Sequence, residues 1–197
     1  MPYLPFKRLV PGALVAVVAP AGPADARRVA DVPALIEAQG WRARVYPGCH
    51  LRTGFLAGPD AQRAADLQAA LDDPSVDAIW CLRGGYGSGR LLHRIRLSDQ
   101  PKLVIGYSDI IVLHALLDRA GWLALHAPMP ASDLLLPGHE DDARALFALL
   151  HHGLPEGAVW TPALAQPALR CPGRAQGRLL GGNLSLLAAL CGTPWQP

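Results

Sequence analysis

The chain has little charge. Asp, Glu, Lys and Arg make up 17% of its 197 residues, and the formal net charge is +2. So small an excess excludes a nucleic-acid surface as the reading of composition. Arginine greatly outnumbers lysine, but the arginines are scattered and form no phosphate-binding patch. Cysteine is scarce too: Cys49, Cys81, Cys171 and Cys191 show no Cys-x-x-Cys spacing, which argues against a zinc site built on them. They read as small buried hydrophobes of a reduced, cytosolic protein. No long apolar run is present near the N-terminus. Residues 13–21 come nearest, are interrupted by Pro20, and are far too short to span a bilayer. The first eight residues lack the charge, apolar core and cleavage site of a signal peptide. A cytoplasmic location is the resulting expectation, with no membrane and no nucleic acid among the partners.

What the chain does have is apolar residues, at 51%, enough for a sizeable core. They fall in alternating strand-like and helix-like stretches. A valine-rich run at 14–19 reads as a strand buried on both faces. A helix is predicted over 25–39 with Gly40 as its C-cap, then a strand over 42–46. Ala64, Leu67, Ala70 and Leu71 share one face of a helix over 60–72, which Asp73-Pro74 ends. Further strands are predicted at 76–82, at Leu103-Val104-Ile105 and at 122–127, with a short helix through Leu91 and Leu92 and a longer one over 140–151. Such alternation indicates an α/β domain with a parallel sheet, of Rossmann or flavodoxin-like type. The expected organisation is an α/β domain over 1–152, a Pro- and Gly-rich linker over 153–176, and the truncated beginning of a second domain over 177–197. About twenty residues cannot bury a core alone.

The most informative stretch is Gly106-Tyr107-Ser108-Asp109, between the Leu103 strand and a helical pattern of Ile110, Leu113 and Leu117. A strand that turns sharply into a helix lifts a serine hydroxyl out of the backbone, and the opening amides point at what it attacks. Ser108 therefore reads either as a nucleophile beside half an oxyanion hole or as an ordinary helix N-cap. In a parallel sheet, ligands bind beyond the carboxyl ends of the strands. The loops at 20–23, 83–90, 106–109 and 126–130 should therefore share one rim. The loop Arg83-Gly84-Gly85-Tyr86-Gly87-Ser88-Gly89-Arg90 fails the dinucleotide fingerprint at Arg90 and has no Gly-Lys-Ser/Thr. It remains open as a weak nucleotide loop, as a close-approach loop offering amides to an oxyanion, or as a plain turn.

Several segments together resemble the LD-carboxypeptidase family of serine peptidases. They are Val17-Val18-Ala19-Pro20-Ala21-Gly22, Arg63-Ala64-Ala65-Asp66-Leu67, and the stretch from Ala78 to Gly87 that contains Arg-Gly-Gly-Tyr-Gly. After these come Gly106-Tyr107-Ser108-Asp109-Ile110, His126-Ala127-Pro128-Met129 and Leu180-Gly181-Gly182-Asn183-Leu184. The resemblance implies a cytoplasmic hydrolase of peptidoglycan recycling, a muramoyltetrapeptide carboxypeptidase that releases terminal D-alanine and needs no cofactor or metal. It implies Ser108 as nucleophile and the amides of Gly85 and Asp109 as the oxyanion hole. Arg83, Gly84, Tyr86 and His126 are implied to line the substrate site. Arg83 either holds the substrate's terminal carboxylate or makes a structural ion pair. A homodimer is the family's usual assembly.

One departure is large. The family completes its triad with a glutamate and a histidine beyond the Gly-Gly-Asn-Leu segment. Here the glutamates are Glu37, Glu140 and Glu156, and no histidine follows His152. A serine without a base is a weak nucleophile. The expectation is a truncated peptidase, nearly inactive as this chain. The alternatives are a catalytically silent muropeptide-binding module, a peptidase of a peptide–nucleotide antibiotic conferring self-immunity, and, on the glycine loop alone, a nucleotide-binding regulator. Leu179, Leu180, Leu184, Leu186, Leu187 and Leu190 are expected to leave an exposed apolar patch.

Overall fold

A computed structural model describes residues 7–154, 157–159 and 173–197. Five parallel strands form one sheet in the order β2-β1-β3-β4-β5: β1 Leu14–Val18, β2 Arg42–Val45, β3 Ala78–Cys81, β4 Leu103–Gly106 and β5 Ala124–His126. Every residue of β1, β3 and β4 is buried. That is why these strands read as unbroken apolar runs rather than alternating ones. Leu14, Ala16 and Val18 enter the core on one face, and Val15 and Val17 the core on the other. β2 lies at one edge and alternates, with Arg42 and Arg44 exposed.

Helices cover both faces. α1 (Ala26–Glu37) buries Val29, Val32 and Ile36 on one side, joined there by Leu146 and Leu150 of α4 (Glu140–His152). α2 (Asp60–Asp72) brings the predicted Ala64, Leu67, Ala70 and Leu71 to the other side, with Val112, Leu113 and Leu117 of α3 (Ile111–Arg119). Asp25 caps α1 by accepting from Arg27 N; at the other end the C-cap is Ala38 rather than the expected Gly40, which follows in a turn at φ +76° with its N–H donating to Glu37 O. α5 (Leu184–Leu190) packs on α3, burying Leu190 and half-burying Leu186. Leu179, Leu180 and Leu184 stay exposed, at 95%, 41% and 82%, so the expected patch is there but takes three of the six leucines.

Three further expectations are corrected. β5 is shorter than 122–127 because the Trp122 N–H is committed to Leu117 O at the end of α3, next to Gly121 (φ +75°). A donor used there cannot join a sheet ladder. The helix expected through Leu91 and Leu92 is a 3-10 turn, Ser88–Leu91. Cys191 is exposed rather than buried, whereas Cys49 and Cys81 are buried as expected. Cys171, Glu156 and most of the expected linker lie outside the described residues. Among the described residues no helix is long and apolar enough to cross a membrane.

Candidate active site

The sheet runs outward in both directions from β1, with β2 on one side and β3 on the other. Such a reversal opens a crevice between the carboxyl ends of the two central strands. The loops after β1 and β3 meet there. Gly22 N donates to Gly84 O at 3.0 Å, and a Cβ on Gly22 would lie 2.8 Å from that oxygen. Gly85 is tight as well, since a Cβ on it would stand 3.2 Å from Gly22 Cα, and its φ of +120° disfavours any side chain besides. These contacts exclude side chains at both positions, which is the physical use of the glycines.

The β4 loop closes on the same point. A Cβ on Gly84 would meet Ser108 Cβ at 2.9 Å and Ser108 Oγ at 3.2 Å. The four loops expected on one rim do share it: Ala127 N donates to Gly106 O at 3.3 Å and Ala131 N to Leu82 O at 3.1 Å. Ser108 has φ +60°, the only positive φ outside glycine among the described residues. Ser108 opens the 3-10 turn Ser108–Ile110 that leads into α3, the cap position being Tyr107, and its side chain makes no capping hydrogen bond. The cap reading of Ser108 therefore fails, and a strained strand-to-helix turn takes its place. Holding serine in the left-handed region costs about 1 kcal/mol or more, which glycine would not incur. Ser108→Gly is thus expected to be more stable than Ser108→Ala by about 1 kcal/mol. Urea midpoints of the two variants check this, and equal midpoints would mean the turn is unstrained.

Buried polar groups fix the rim. Asp109 is 4% exposed and accepts from both Ser88 N, at 2.8 Å, and Ser88 Oγ. It ties the elbow to the far end of the glycine loop. The N–H groups of Gly85 and Asp109 reach no acceptor in another element among the described residues. Both are free to receive a ligand oxygen. Tyr107 OH donates to Asp133 Oδ1 at 2.8 Å, and Asp133 Oδ2 accepts from Met129 N at 2.9 Å. This pair fastens the elbow to a π-helical turn, Pro130–Leu134, that the periodicity did not reveal. Burial, then the hydrogen bond to Asp133, pushes the Tyr107 phenol above its ordinary value, so it stays a neutral donor.

Arg83 is half-buried, and its Nη1 donates to Pro23 O at 3.0 Å while its Nε has no partner. It enters no ion pair among the described residues, so the ion-pair reading of Arg83 gains nothing. Tyr86 is exposed on the rim beside Phe55. His126 is exposed at the end of β5, its ring 5.9 Å from Tyr107 and 6.4 Å from His114. Both histidines line a groove of about 840 Å³ along β5 that does not include Ser108. No side chain among the described residues is hydrogen-bonded to Ser108 Oγ. Burial pushes both buried thiols up, Cys49 to about 12, so neither supplies a thiolate near neutral pH. The glycine loop leads into a four-residue 3-10 turn rather than a helix, which gives the phosphate-loop reading no dipole to rest on.

His114 carries a pH prediction. Burial, with a smaller effect of His126, lowers its imidazole to about 4 from an ordinary 6.5. The folded pKa lies below the unfolded one, so the unfolded chain binds more protons between pH 6.5 and 4. Stability therefore falls as the pH falls through that window, by up to about 3 kcal/mol from this group. His114→Leu is expected to remove that share of the acid loss. Urea unfolding at pH 7 and at pH 4.5 checks it: parallel losses in wild type and variant would show that His114 does not titrate there.

Residues 15–127 match the family model of the LD-carboxypeptidase N-terminal domain. The chain is 34% identical over 194 residues to the murein tetrapeptide carboxypeptidase of Pseudomonas aeruginosa, covering 91% of this chain and 60% of that protein. It is 35% identical over 196 residues to a protein of Bacillus subtilis named as a probable murein peptide carboxypeptidase, covering 96% of this chain and 60% of the relative. The chain thus spans about 60% of the length of these relatives. Two solved structures share the fold. The microcin C7 self-immunity protein MccF superposes with a TM-score of 0.77 at 20% identity, over 96% of this chain and 66% of that one. The muramoyltetrapeptide carboxypeptidase of Oxalobacter formigenes gives 0.67 at 24% identity, over 94% and 62%. With a match over more than half its length, centred on the strands and loops that build the rim, the chain belongs to the LD-carboxypeptidase family.

Proposed function

We propose that this chain is the nucleophile-bearing part of a serine LD-carboxypeptidase that removes the terminal D-alanine of murein tetrapeptides. The observation that carries the reading is Ser108 at φ +60°, packed against Gly84. Ser108 Oγ attacks the carbonyl preceding the terminal residue. The negative charge that develops on the carbonyl oxygen is met by the N–H groups of Gly85 and Asp109, which have no other acceptor across the rim. Arg83, with donors left over beside its bond to Pro23 O, holds the terminal carboxylate. Gly84 and Tyr86 line the cleft around it, and His126 stands at the neighbouring groove along β5, its ring 5.9 Å from Tyr107. Names of relatives support murein peptides as the substrate class.

A base is needed to take the Ser108 proton, and none among the described residues is in hydrogen-bond contact with it. Turnover by these 197 residues is expected to be lower by about 10²–10⁴-fold than that of an enzyme with a complete triad. The same observation favours a second reading, a module that binds muropeptides without cleaving them. Release of D-alanine from a murein tetrapeptide, with Ser108→Ala as control, separates the two. Slow release that vanishes in the variant supports the peptidase. Binding with no release in either protein supports the silent module, and release that survives in Ser108→Ala overturns Ser108 as nucleophile.

A further inference from the structure

Two large aromatic rings stand exposed at the rim where water would be expected to meet polar groups. Phe55 is 66% exposed and Tyr86 54% exposed, and they pack edge to face with centroids 5.6 Å apart. Phe55 is not there by looseness. Thr53 and Leu56 exchange both backbone hydrogen bonds, at 2.9 and 3.1 Å, so Gly54 (φ +61°) and Phe55 form the tip of a tight hairpin turn. Ala57 N donates to Ala21 O at 3.0 Å, which ties that hairpin to the β1 loop. Leu56 seals it against the glycine loop, where a Cβ on Gly87 would lie 2.6 Å from Leu56 Cδ2. A turn anchored at three points holds Phe55 out in solvent against the hydrophobic effect.

Their position relative to Ser108 follows from the chain. Tyr86 is two residues from Gly84, which touches Ser108, so their Cα atoms are at most about 7 Å apart. Within the loop the two flanking side chains diverge. Arg83 reaches Pro23 O and acts electrostatically on Tyr107. Tyr86 turns instead to Phe55. With the terminal carboxylate on the Arg83 side, the residue on the other side of the scissile bond falls on the aromatic side.

We propose that Phe55 and Tyr86 form an aromatic wall that selects a long, methylene-rich side chain on the residue whose carbonyl Ser108 attacks. The proposal rests on the peptidase reading of the rim for its orientation. Apolar methylenes laid on two ring faces leave water, while a short side chain leaves the rings exposed. The wall determines specificity and takes no part in bond breaking.

The test is binding of two tetrapeptides that differ only at the third residue, lysine against alanine, to the Ser108→Ala chain by titration calorimetry. A preference of about tenfold for lysine is expected, falling to twofold or less when Phe55→Ala or Tyr86→Ala is added. Phe55→Trp should keep it, and unchanged melting temperatures would show that the exposed substitutions leave the fold intact. An equal preference with and without Phe55 overturns the wall, as does the failure of both peptides to bind. Neither result touches Ser108 itself, which stands or falls on D-alanine release by the wild-type chain.

Discussion

Gly84→Ala is expected to lower D-alanine release at least about 100-fold while leaving most of the protein folded. The added methyl would stand 2.9 Å from Ser108 Cβ, 3.2 Å from Ser108 Oγ and 3.5 Å from Tyr107 O. Real Cβ contacts do not come that close, so something moves. The β3 side of the contact is held by the bond from Gly22 N to Gly84 O. The Ser108 side is a turn already held in an unfavourable conformation. Ser108 is the group that yields, and displacing a nucleophile by about 1 Å is enough for a loss of that order. Backbone strain is not the cause, because Gly84 has no positive φ. Overpacking costs about 1–3 kcal/mol of stability besides. Gly89→Ala is the control: a Cβ there meets nothing within 4 Å, and its activity should match wild type. Initial rates at saturating peptide, with melting temperatures alongside, decide the matter. Full activity in Gly84→Ala would mean that Ser108 is not held against this loop during the reaction.

The strands of this fold were easy to read because burial on both faces leaves no alternation to misjudge. Leu14 to Val18 and Ala78 to Cys81 are apolar throughout for that reason. Element ends were harder, since they depend on single hydrogen bonds such as Trp122 N to Leu117 O, which no periodicity encodes. In the candidate site, the residues at strand ends are legible from spacing: Gly84, Gly85 and Ser108 sit where loops leave parallel strands. Side chains that brace the rim from behind were not. Asp133 reaches Tyr107 from 26 positions away, and Arg63 spans 43 positions to Pro20. A lone aspartate or arginine carries no local sign of so distant a partner. His114, six positions after Ser108, did not suggest its place on the helix beside His126, because β5 brings that second ring in from another element. His151 lies with its ring 4.6 Å from Trp41, a contact between α4 and the residue before β2 that neither segment shows alone.

Replacing Arg63 is expected to cause the largest stability loss in the molecule, about 3–5 kcal/mol for Arg63→Leu. Its side chain lies on α2 with only 1% of the residue exposed, a rare place for a guanidinium. Nη1 donates to Pro20 O in the β1 loop and, at 3.0 Å, to Gly87 O in the glycine loop, while Nη2 pairs with Asp60. One planar cation thus joins both walls of the crevice to the helix beneath. Gly87 is glycine because a Cβ there would lie 2.8 Å from Nη1. Leucine would fill much of the space but leave Pro20 O without a donor and Gly87 O with Arg90 N alone, at 3.1 Å, and an unsatisfied buried acceptor costs about 1–3 kcal/mol. Asp60 would keep Arg90, at 2.8 Å, so the carboxylate is not left alone and the loss falls mainly on the loops. Arg63→Lys tests that division. An ammonium retains the charge but cannot present two parallel donors to one side and a third to Asp60, so it should recover less than half of the loss. Urea unfolding of the three proteins measures both steps. Full recovery by lysine would mean that charge alone matters at this position, whereas a loss below about 1 kcal/mol in Arg63→Leu would mean the loops hold their shape without it.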